Sequence, residues 1–201
     1  MSRAKVKRQS TSVDMTAMCD VTFLLLNFFV MTSVMKVPDP VDIKLPTSTY
    51  KIKIPEKDMA LLTIGKNGQV YFETLGAEVM ATTLDKMASQ YNIQFTAEER
   101  KRFSLMGSFG VPIQNLKQYI AMDGAKRKTS GLDSGIPADS TNNQLAAWVL
   151  NSRKAVAELH DAPMRVSVKG DANVEYPSVK KIIDILQKQK INKFSLVTTS
   201  E

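Results

Sequence analysis

Asp20 is the residue of this chain whose type and position point most directly to chemistry. It lies in the apolar run AMCDVTFLLLNFFVMTSVM, residues 17–35, which contains no other charged side chain. A charged residue at the centre of a membrane helix costs about 2.5–3.5 kcal/mol on insertion scales, so such residues are rare and typically functional. A carboxyl group can take up and release one proton, and it is neutral when protonated. Asp20 is therefore a candidate proton carrier.

Two polar residues are predicted to share the helix face of Asp20. Thr16 comes one turn before it, and Asn27 follows it by seven residues, which places Asn27 within about 20° of Asp20 on a helix. Because lipid cannot satisfy polar groups, we expect this stripe to face helices of other subunits or a water-filled path. The alternative role for Asp20 is to pair with a partner's cation and fix the assembly without carrying protons.

The charges before the apolar run predict how it lies in a membrane. Residues 1–13 contain four basic side chains and no acidic one: Arg3, Lys5, Lys7 and Arg8. This pattern predicts a cytoplasmic N-terminus and places residues 36–201 across the membrane. The length of the run, its polar residues and the lack of a small-x-small cleavage site favour an uncleaved anchor over a signal peptide. The basic flank favours a membrane span over a buried core helix.

Composition narrows the possible functions. The chain has 201 residues and a net charge of +7, enough for one anchor and one domain of ordinary size. The basic residues after the anchor form no dense stripe interleaved with aromatics, so nucleic-acid binding is not predicted. Cys19, the single cysteine, is interpreted as a small buried hydrophobe. His160, the single histidine, is interpreted as a helix-end residue. No zinc-binding, phosphate-loop or nucleophile pattern is present, so we predict no metal, no cofactor and no enzymatic activity.

Periodicity and turn signals predict an α+β fold. We expect a cytoplasmic tail at 1–13, a transmembrane helix at 14–35 and, across the membrane, a linker at 36–55 and a sheet-and-helix domain at 56–201. Strand-like runs at 59–64 and 69–73 flank Asn67-Gly68, a strong hairpin signal. A helix is predicted at 77–91.

The rest of the domain divides into a helical insertion, at about 92–161, and a C-terminal βαβ unit. The insertion is predicted to hold a capped helix opening at Thr96, a helix at 112–122, a mobile loop at 123–141 and a helix at 142–159 with Trp148 as a partly buried anchor. Strands near 164–168 and 194–198 flank a helix at 177–189 and should pair in parallel. Asp171, in the turn after the first of these strands, is interpreted as an Asx-type turn former.

Three segments resemble the ExbD/TolR family of bacterial biopolymer-transport proteins, functional relatives of the MotB-type stator subunits. The first is VDMTAMCDVTFLLLNFF, residues 13–29, with Asp20 at the family's proton-carrying position. The second is VDIKLP, residues 41–46, and the third is VSVKGDANVEYPSVKKIIDILQKQKINKFSLVTT, residues 166–199. The chain departs from the family at Thr16-Ala17, where a proline is usual, and in the insertion at 92–161.

This resemblance implies a proton-channel or motor subunit of a bacterial inner-membrane complex, with the linker at 36–55 and the domain at 56–201 in the periplasm. Two copies are expected to pair and to pass through an ExbB/TolQ-like polytopic ring, expected to have five subunits. A TonB-like periplasmic protein would receive the motion and energise transport across the outer membrane. Leu45, Pro46, Asp171 and Tyr176 are the candidate partner contacts. The alternatives are a TolR-like, gliding or secretion motor subunit and, in another class, a membrane-anchored periplasmic binding module without ion transport.

Overall fold

The computed structural model describes residues 15–33, 57–139 and 142–197, together with the backbone of residues 47–48 and 199–200. Its internal contacts divide the chain into two compact units, Met1–Lys36 and Val37–Glu201. The helices are α1 (Met15–Thr32), α2 (Ala77–Tyr91), α3 (Ala97–Ser104), α4 (Ile113–Ala121), α5 (Gly124–Thr129), α6 (Gln144–His160) and α7 (Tyr176–Lys188). The strands are β1 (Thr47–Ser48), β2 (Met59–Ile64), β3 (Val70–Thr74), β4 (Arg165–Gly170), β5 (Phe194–Val197) and β6 (Thr199–Ser200).

The first unit contains α1, where a membrane helix was predicted. This helix has 18 residues and buries none of them in the chain's own structure. It is long and apolar enough to cross a membrane, judged by length and composition. The helix is therefore confirmed, while its placement in a membrane and the domain boundaries at 13, 35 and 55 stay predictions.

The second unit is built on a mixed four-stranded sheet with the order β3-β2-β4-β5. Strands β2 and β3 form the predicted antiparallel hairpin, with Leu62 opposite Phe72. In its turn the Gly68 N–H donates to the Gly65 carbonyl over 2.9 Å. Only Gly68 adopts a positive φ, 72°, so the hairpin uses a single left-handed glycine and not the Asn-Gly pair.

The C-terminal βαβ unit also forms as predicted. Strand β4 pairs in parallel with β5, with Val166 opposite Phe194, and it pairs in parallel with β2 on its other side. Helix α7 begins with proline in its first turn, where no backbone donor is needed. Its apolar side chains Ile182, Ile185 and Leu186 are buried. A separate two-residue parallel pairing joins β1 to β6.

The insertion supplies a large part of the core. Four rings, Phe72, Phe103, Phe109 and Trp148, are completely buried, and Phe109 and Trp148 each contact the other three. The centroids of Phe109 and Trp148 lie 4.9 Å apart, and those of Phe103 and Phe109 lie 5.1 Å apart. Phe72 belongs to the sheet, whereas the other three belong to residues 92–161. The prediction that Trp148 would be partly buried is wrong, because its ring closes this cluster.

The segment predicted as a mobile loop, residues 123–141, is partly ordered by long-range contacts. It contains α5, and its Ile136 side chain is buried in the core. The Ile136 N–H donates to the carbonyl of Val70 on β3 over 2.8 Å. The loop prediction is therefore wrong for residues 124–129. The capped helix at Thr96 is confirmed: its hydroxyl accepts from Glu99 N–H, and the Glu99 carboxylate accepts from Thr96 N–H.

Candidate functional site

The candidate proton-carrying stripe lies on α1. Thr16, Asp20 and Asn27 all fall within this continuous helix, and all three are exposed. Helical geometry therefore sets Asp20 and Asn27 on one face, separated by about 10 Å along the axis. Their role in proton transfer stays a prediction.

Two other polar residues of α1 differ from Asp20 in how their polar atoms are satisfied. The Thr22 hydroxyl donates to the Met18 carbonyl, and the Thr32 hydroxyl donates to the Phe28 carbonyl, each over 2.7 Å. These hydroxyls need no outside partner in an apolar environment. Asp20 makes no hydrogen bond to any residue that the structure describes, so in hydrocarbon it needs a partner from outside these residues.

Cys19 was expected to be a small buried hydrophobe. In the single chain its thiol is free and exposed on α1. That expectation came from the usual behaviour of cysteine in a packed core, whereas α1 buries none of its residues against the described part of the chain.

The four predicted partner contacts have different surroundings. Asp171 is buried, and its Oδ1 accepts from the Asn173 N–H over 2.9 Å, which confirms the Asx-turn interpretation. Tyr176, the first residue of α7, is 74% exposed. Leu45 and Pro46 lie outside the described residues. Contact of these four residues with a partner stays a prediction.

His160 is the last residue of α6, as the helix-end interpretation predicted. Its Nδ1 pairs with the Asp58 carboxylate just before β2. The pair joins the end of the insertion's longest helix to the start of the sheet. In the parts of the chain that are described, no group of three or more His, Cys, Asp or Glu side chains is placed to hold a metal ion.

Sequence reasoning missed a polar cluster inside the second unit. The Tyr119 hydroxyl donates to Asp133 Oδ2 over 3.2 Å, and the Tyr71 hydroxyl donates to the Asp133 carbonyl over 3.4 Å. The Arg127 Nε donates to the Tyr119 carbonyl over 3.1 Å, and its guanidinium carbon lies 5.3 Å from the centroid of the Tyr119 ring. These contacts connect α5 to α4 through Arg127, and they connect Asp133, just after α5, to both α4 and β3.

Burial governs the protonation of this cluster. It raises the pKa of the Asp133 carboxyl, although the hydrogen bond from Tyr119 and the nearby Arg127 charge oppose the shift. Burial, together with the Asp133 charge, also raises the pKa of Tyr71 to about 12. No local sequence signal marks the cluster, because its members lie up to 62 residues apart and meet only in the fold.

Comparison with known proteins shows which family the sequence matches. A family model described as biopolymer transport protein ExbD/TolR matches residues 6–201, nearly the whole chain. No curated protein and no solved structure matches the chain significantly. Proteins of the matched family are transport-associated and non-enzymatic, and they are typically anchored in the inner membrane. They generally work with ExbB/TolQ-type and TonB/Pal-type partners.

Proposed function

We propose a function that proceeds from one premise: the chain belongs to the ExbD/TolR family of biopolymer transport proteins. It is the proton-carrying subunit of an inner-membrane motor of the ExbB-ExbD type, and Asp20 is the carrier. The observation that supports this role is one carboxylate, exposed and without an internal hydrogen bond, on a helix long and apolar enough to span a membrane.

The chemistry needs a side chain that is tolerated in two charge states. Protonated Asp20 is neutral and can face a low-dielectric surface, whereas ionised Asp20 requires water or a donor. Each change of state therefore favours a different position of α1 against the surrounding helices. A membrane potential supplies about 2.3 kcal/mol per charge per 100 mV, so repeated uptake from the periplasm and release to the cytoplasm drive stepwise motion.

The family supplies the identity of the partners. One chain offers one candidate spanning helix in its described part, so the helices around Asp20 come from other subunits. By the family's working model, these subunits form a polytopic ExbB/TolQ-like ring of five. Two copies of this chain pass through the ring, with their N-termini in the cytoplasm and their second units in the periplasm. The paired periplasmic units pass the motion to a TonB-like protein, which energises transport across the outer membrane.

Asp20→Asn tests this proposal, since asparagine is nearly isosteric but cannot carry a proton. The variant should co-purify normally with the ring, while proton flux in reconstituted vesicles falls at least tenfold. Thr22→Val is the matched control, because the Thr22 hydroxyl is satisfied within its own helix, and it should keep wild-type flux. Wild-type flux in Asp20→Asn would reject the motor and leave a membrane-anchored binding module.

A further inference from the structure

The longer approach to Asp20 runs along the C-terminal part of α1. Asp20 is the sixth of the 18 residues of this helix, so five residues precede it and twelve follow it. With a rise of about 1.5 Å per residue, Asp20 lies about 8 Å from the N-terminal end of the helix and about 18 Å from the C-terminal end. A proton that reaches Asp20 from the C-terminal end therefore has the longer apolar distance to cross.

Three polar side chains follow Asp20 on α1: Thr22, Asn27 and Thr32. The two threonine hydroxyls donate to carbonyls of their own helix, each over 2.7 Å, so neither needs an outside partner. They also point away from Asp20, since they are rotated from it by about 160° and about 120° around the helix. Asn27 is exposed, and its amide makes no hydrogen bond to any residue that the structure describes.

Asn27 is the polar side chain of this longer part that shares the face of Asp20. It is rotated from Asp20 by only about 20°. Along the axis it lies about 10 Å beyond Asp20 and about 8 Å before the C-terminal end of α1. Phe23 and Leu24, which lie between the two residues near this face, offer no side-chain hydrogen bond. Asn27 therefore divides the longer approach to Asp20 into two shorter distances.

An amide in this place can hold water without carrying the proton itself. Its carbonyl oxygen accepts hydrogen bonds, and its NH2 group donates two. A water held there passes a proton on by accepting one proton and releasing another to the next water. Hydrogen-bonded waters are about 2.8 Å apart, so roughly three of them fill the distance from Asn27 to Asp20. When the last water releases its extra proton, the Asp20 carboxylate becomes a neutral carboxyl group.

Two other surroundings of the Asn27 amide fit the structure less well. In lipid the amide would be left without hydrogen bonds, which is costly. A direct hydrogen bond to a helix of another subunit would satisfy it. Such an assembly contact could lie on any face of α1, however, and it would not need to share the face of Asp20. The common face and the division of the longer approach favour water.

We propose that Asn27 is a positioning residue for proton delivery: its amide holds the water that carries protons to Asp20 from the C-terminal end of α1. This inference rests on the proposed function, because it needs Asp20 as the proton carrier. The two residues have separate roles, since Asp20 changes its charge in each cycle and Asn27 stays neutral. Asn27 thereby governs how fast protons arrive.

The test measures proton flux in vesicles that contain the full chain and the ring subunits that co-purify with it. Asn27→Leu replaces the amide with an apolar side chain of the same branching. It should lower the flux at least fivefold, while the amount of co-purified ring stays at the wild-type level. The ratio of the flux in H2O to the flux in D2O should rise, because proton transfer across the interrupted water becomes the slowest step. Loss of a merely structural contact would leave this ratio at its wild-type value.

Two further variants show whether the chemistry and the face of the amide matter. Asn27→Gln keeps an amide at the same position and should retain at least half of the wild-type flux. The double variant Leu26→Asn, Asn27→Leu keeps the composition of α1 and moves the amide about 100° around the helix at nearly the same depth. Its flux should be as low as that of Asn27→Leu.

Four results would overturn the proposal: wild-type flux in Asn27→Leu, wild-type flux in the double variant, a lowered flux in Asn27→Leu with an unchanged isotope ratio, or loss of the ring from Asn27→Leu. The last result would make Asn27 an assembly contact. Asp20→Asn separates this proposal from the proposed function. If Asp20→Asn loses its flux and Asn27→Leu does not, the role of Asn27 is rejected and the motor remains. Wild-type flux in Asp20→Asn would reject both.

Discussion

Helix α1 and the core of the second unit are both rich in large apolar side chains, but α1 exposes these side chains and the core buries them. Phe29 on α1 is 62% exposed, whereas Phe109 in the aromatic cluster is completely buried. The second unit therefore holds itself together by removing its own apolar surface from water. Helix α1 buries none of its side chains against the part of the chain that the structure describes, as the proposed membrane span requires.

The polar exceptions in the two regions differ in the same way. Asp171 and Asp133, inside the second unit, receive hydrogen bonds from their own chain. Asp20 on α1 has no such bond among the described residues. Asp133 is satisfied only at Oδ2, since its Oδ1 is buried without a hydrogen bond from the described residues. What sets Asp20 apart is that it is the one charged side chain of the apolar helix α1, and this supports the proposal that it is the functional residue.

The largest expected effect comes from deleting one phenylalanine ring of the aromatic cluster in the second unit. Phe109→Ala should lower the free energy of unfolding of the second unit by about 3–5 kcal/mol, because it leaves a cavity beside three other rings. Trp148, the single tryptophan, lies against this ring and reports unfolding by its fluorescence in a urea titration of the detergent-solubilised chain.

Phe29→Ala is the matched substitution on α1. Phe29 is exposed and belongs to the first unit. Its substitution should therefore change the free energy of unfolding, as reported by Trp148 fluorescence, by no more than about 0.5 kcal/mol. Equal destabilisation by the two substitutions would remove the distinction between the two regions.

Local signals predicted the frame of the fold. Each of these elements is indicated by residues only a few positions apart: the hairpin, α2, the Thr96-capped helix and the βαβ unit. Examples are Gly68 at the hairpin turn and Glu99 three residues after Thr96. These elements are confirmed at close to their predicted bounds. The parallel pairing of β4 with β5 followed from the helix between them.

Long-range packing accounts for what the sequence did not reveal. The segment 123–141 reads as a loop by its Gly, Ser and Lys content, yet Arg127 caps the carbonyl of Tyr119 and Ile136 enters the core. The burial of Trp148 likewise depends on rings from three other parts of the chain. Asp20 could be chosen as a candidate from the sequence alone, because a lone carboxylate in an apolar run is recognisable without any tertiary contact. Its role stays a prediction.

A smaller effect is expected at the helix cap that orients one ring of the cluster. Thr96→Ala removes the acceptor for the Glu99 N–H at the start of α3, the helix that carries Phe103. Stability should fall by about 0.5–2 kcal/mol, the usual cost of losing such a cap. Differential urea titration followed by Trp148 fluorescence measures the change.

Gln187→Ala provides the reference for this cap. Gln187 is exposed on α7, and alanine is a good helix former, so its transition should stay within about 0.5 kcal/mol of wild type. A Thr96→Ala midpoint indistinguishable from that of Gln187→Ala would mean that α3 is held by packing alone.

The smallest expected effect tests whether the half-buried carboxylate of Asp133, in the second unit, is only structural. Burial raises the pKa of Asp133 in the folded chain above its ordinary value of 3.8, so the folded state binds this proton more tightly than the unfolded state does. The resulting stabilisation is complete below pH 3.8 and is lost as the pH rises through the folded pKa. Asp133→Asn cannot titrate, so relative to wild type it should gain stability as the pH rises across that window.

Urea titrations at a series of pH values from 3 to 8 (a range chosen to span roughly the carboxyl titration) measure this difference, with exposed Asp184→Asn as the matched control. The stability difference between Asp133→Asn and wild type should grow with pH and then level off. An equal change in Asp184→Asn would mean that burial of the carboxyl is not the cause. Proton flux should be unchanged in Asp133→Asn, because this carboxylate lies within the folded unit and α1 carries the proton. A loss of flux as large as that of Asp20→Asn would place proton chemistry in both regions and end the contrast between them.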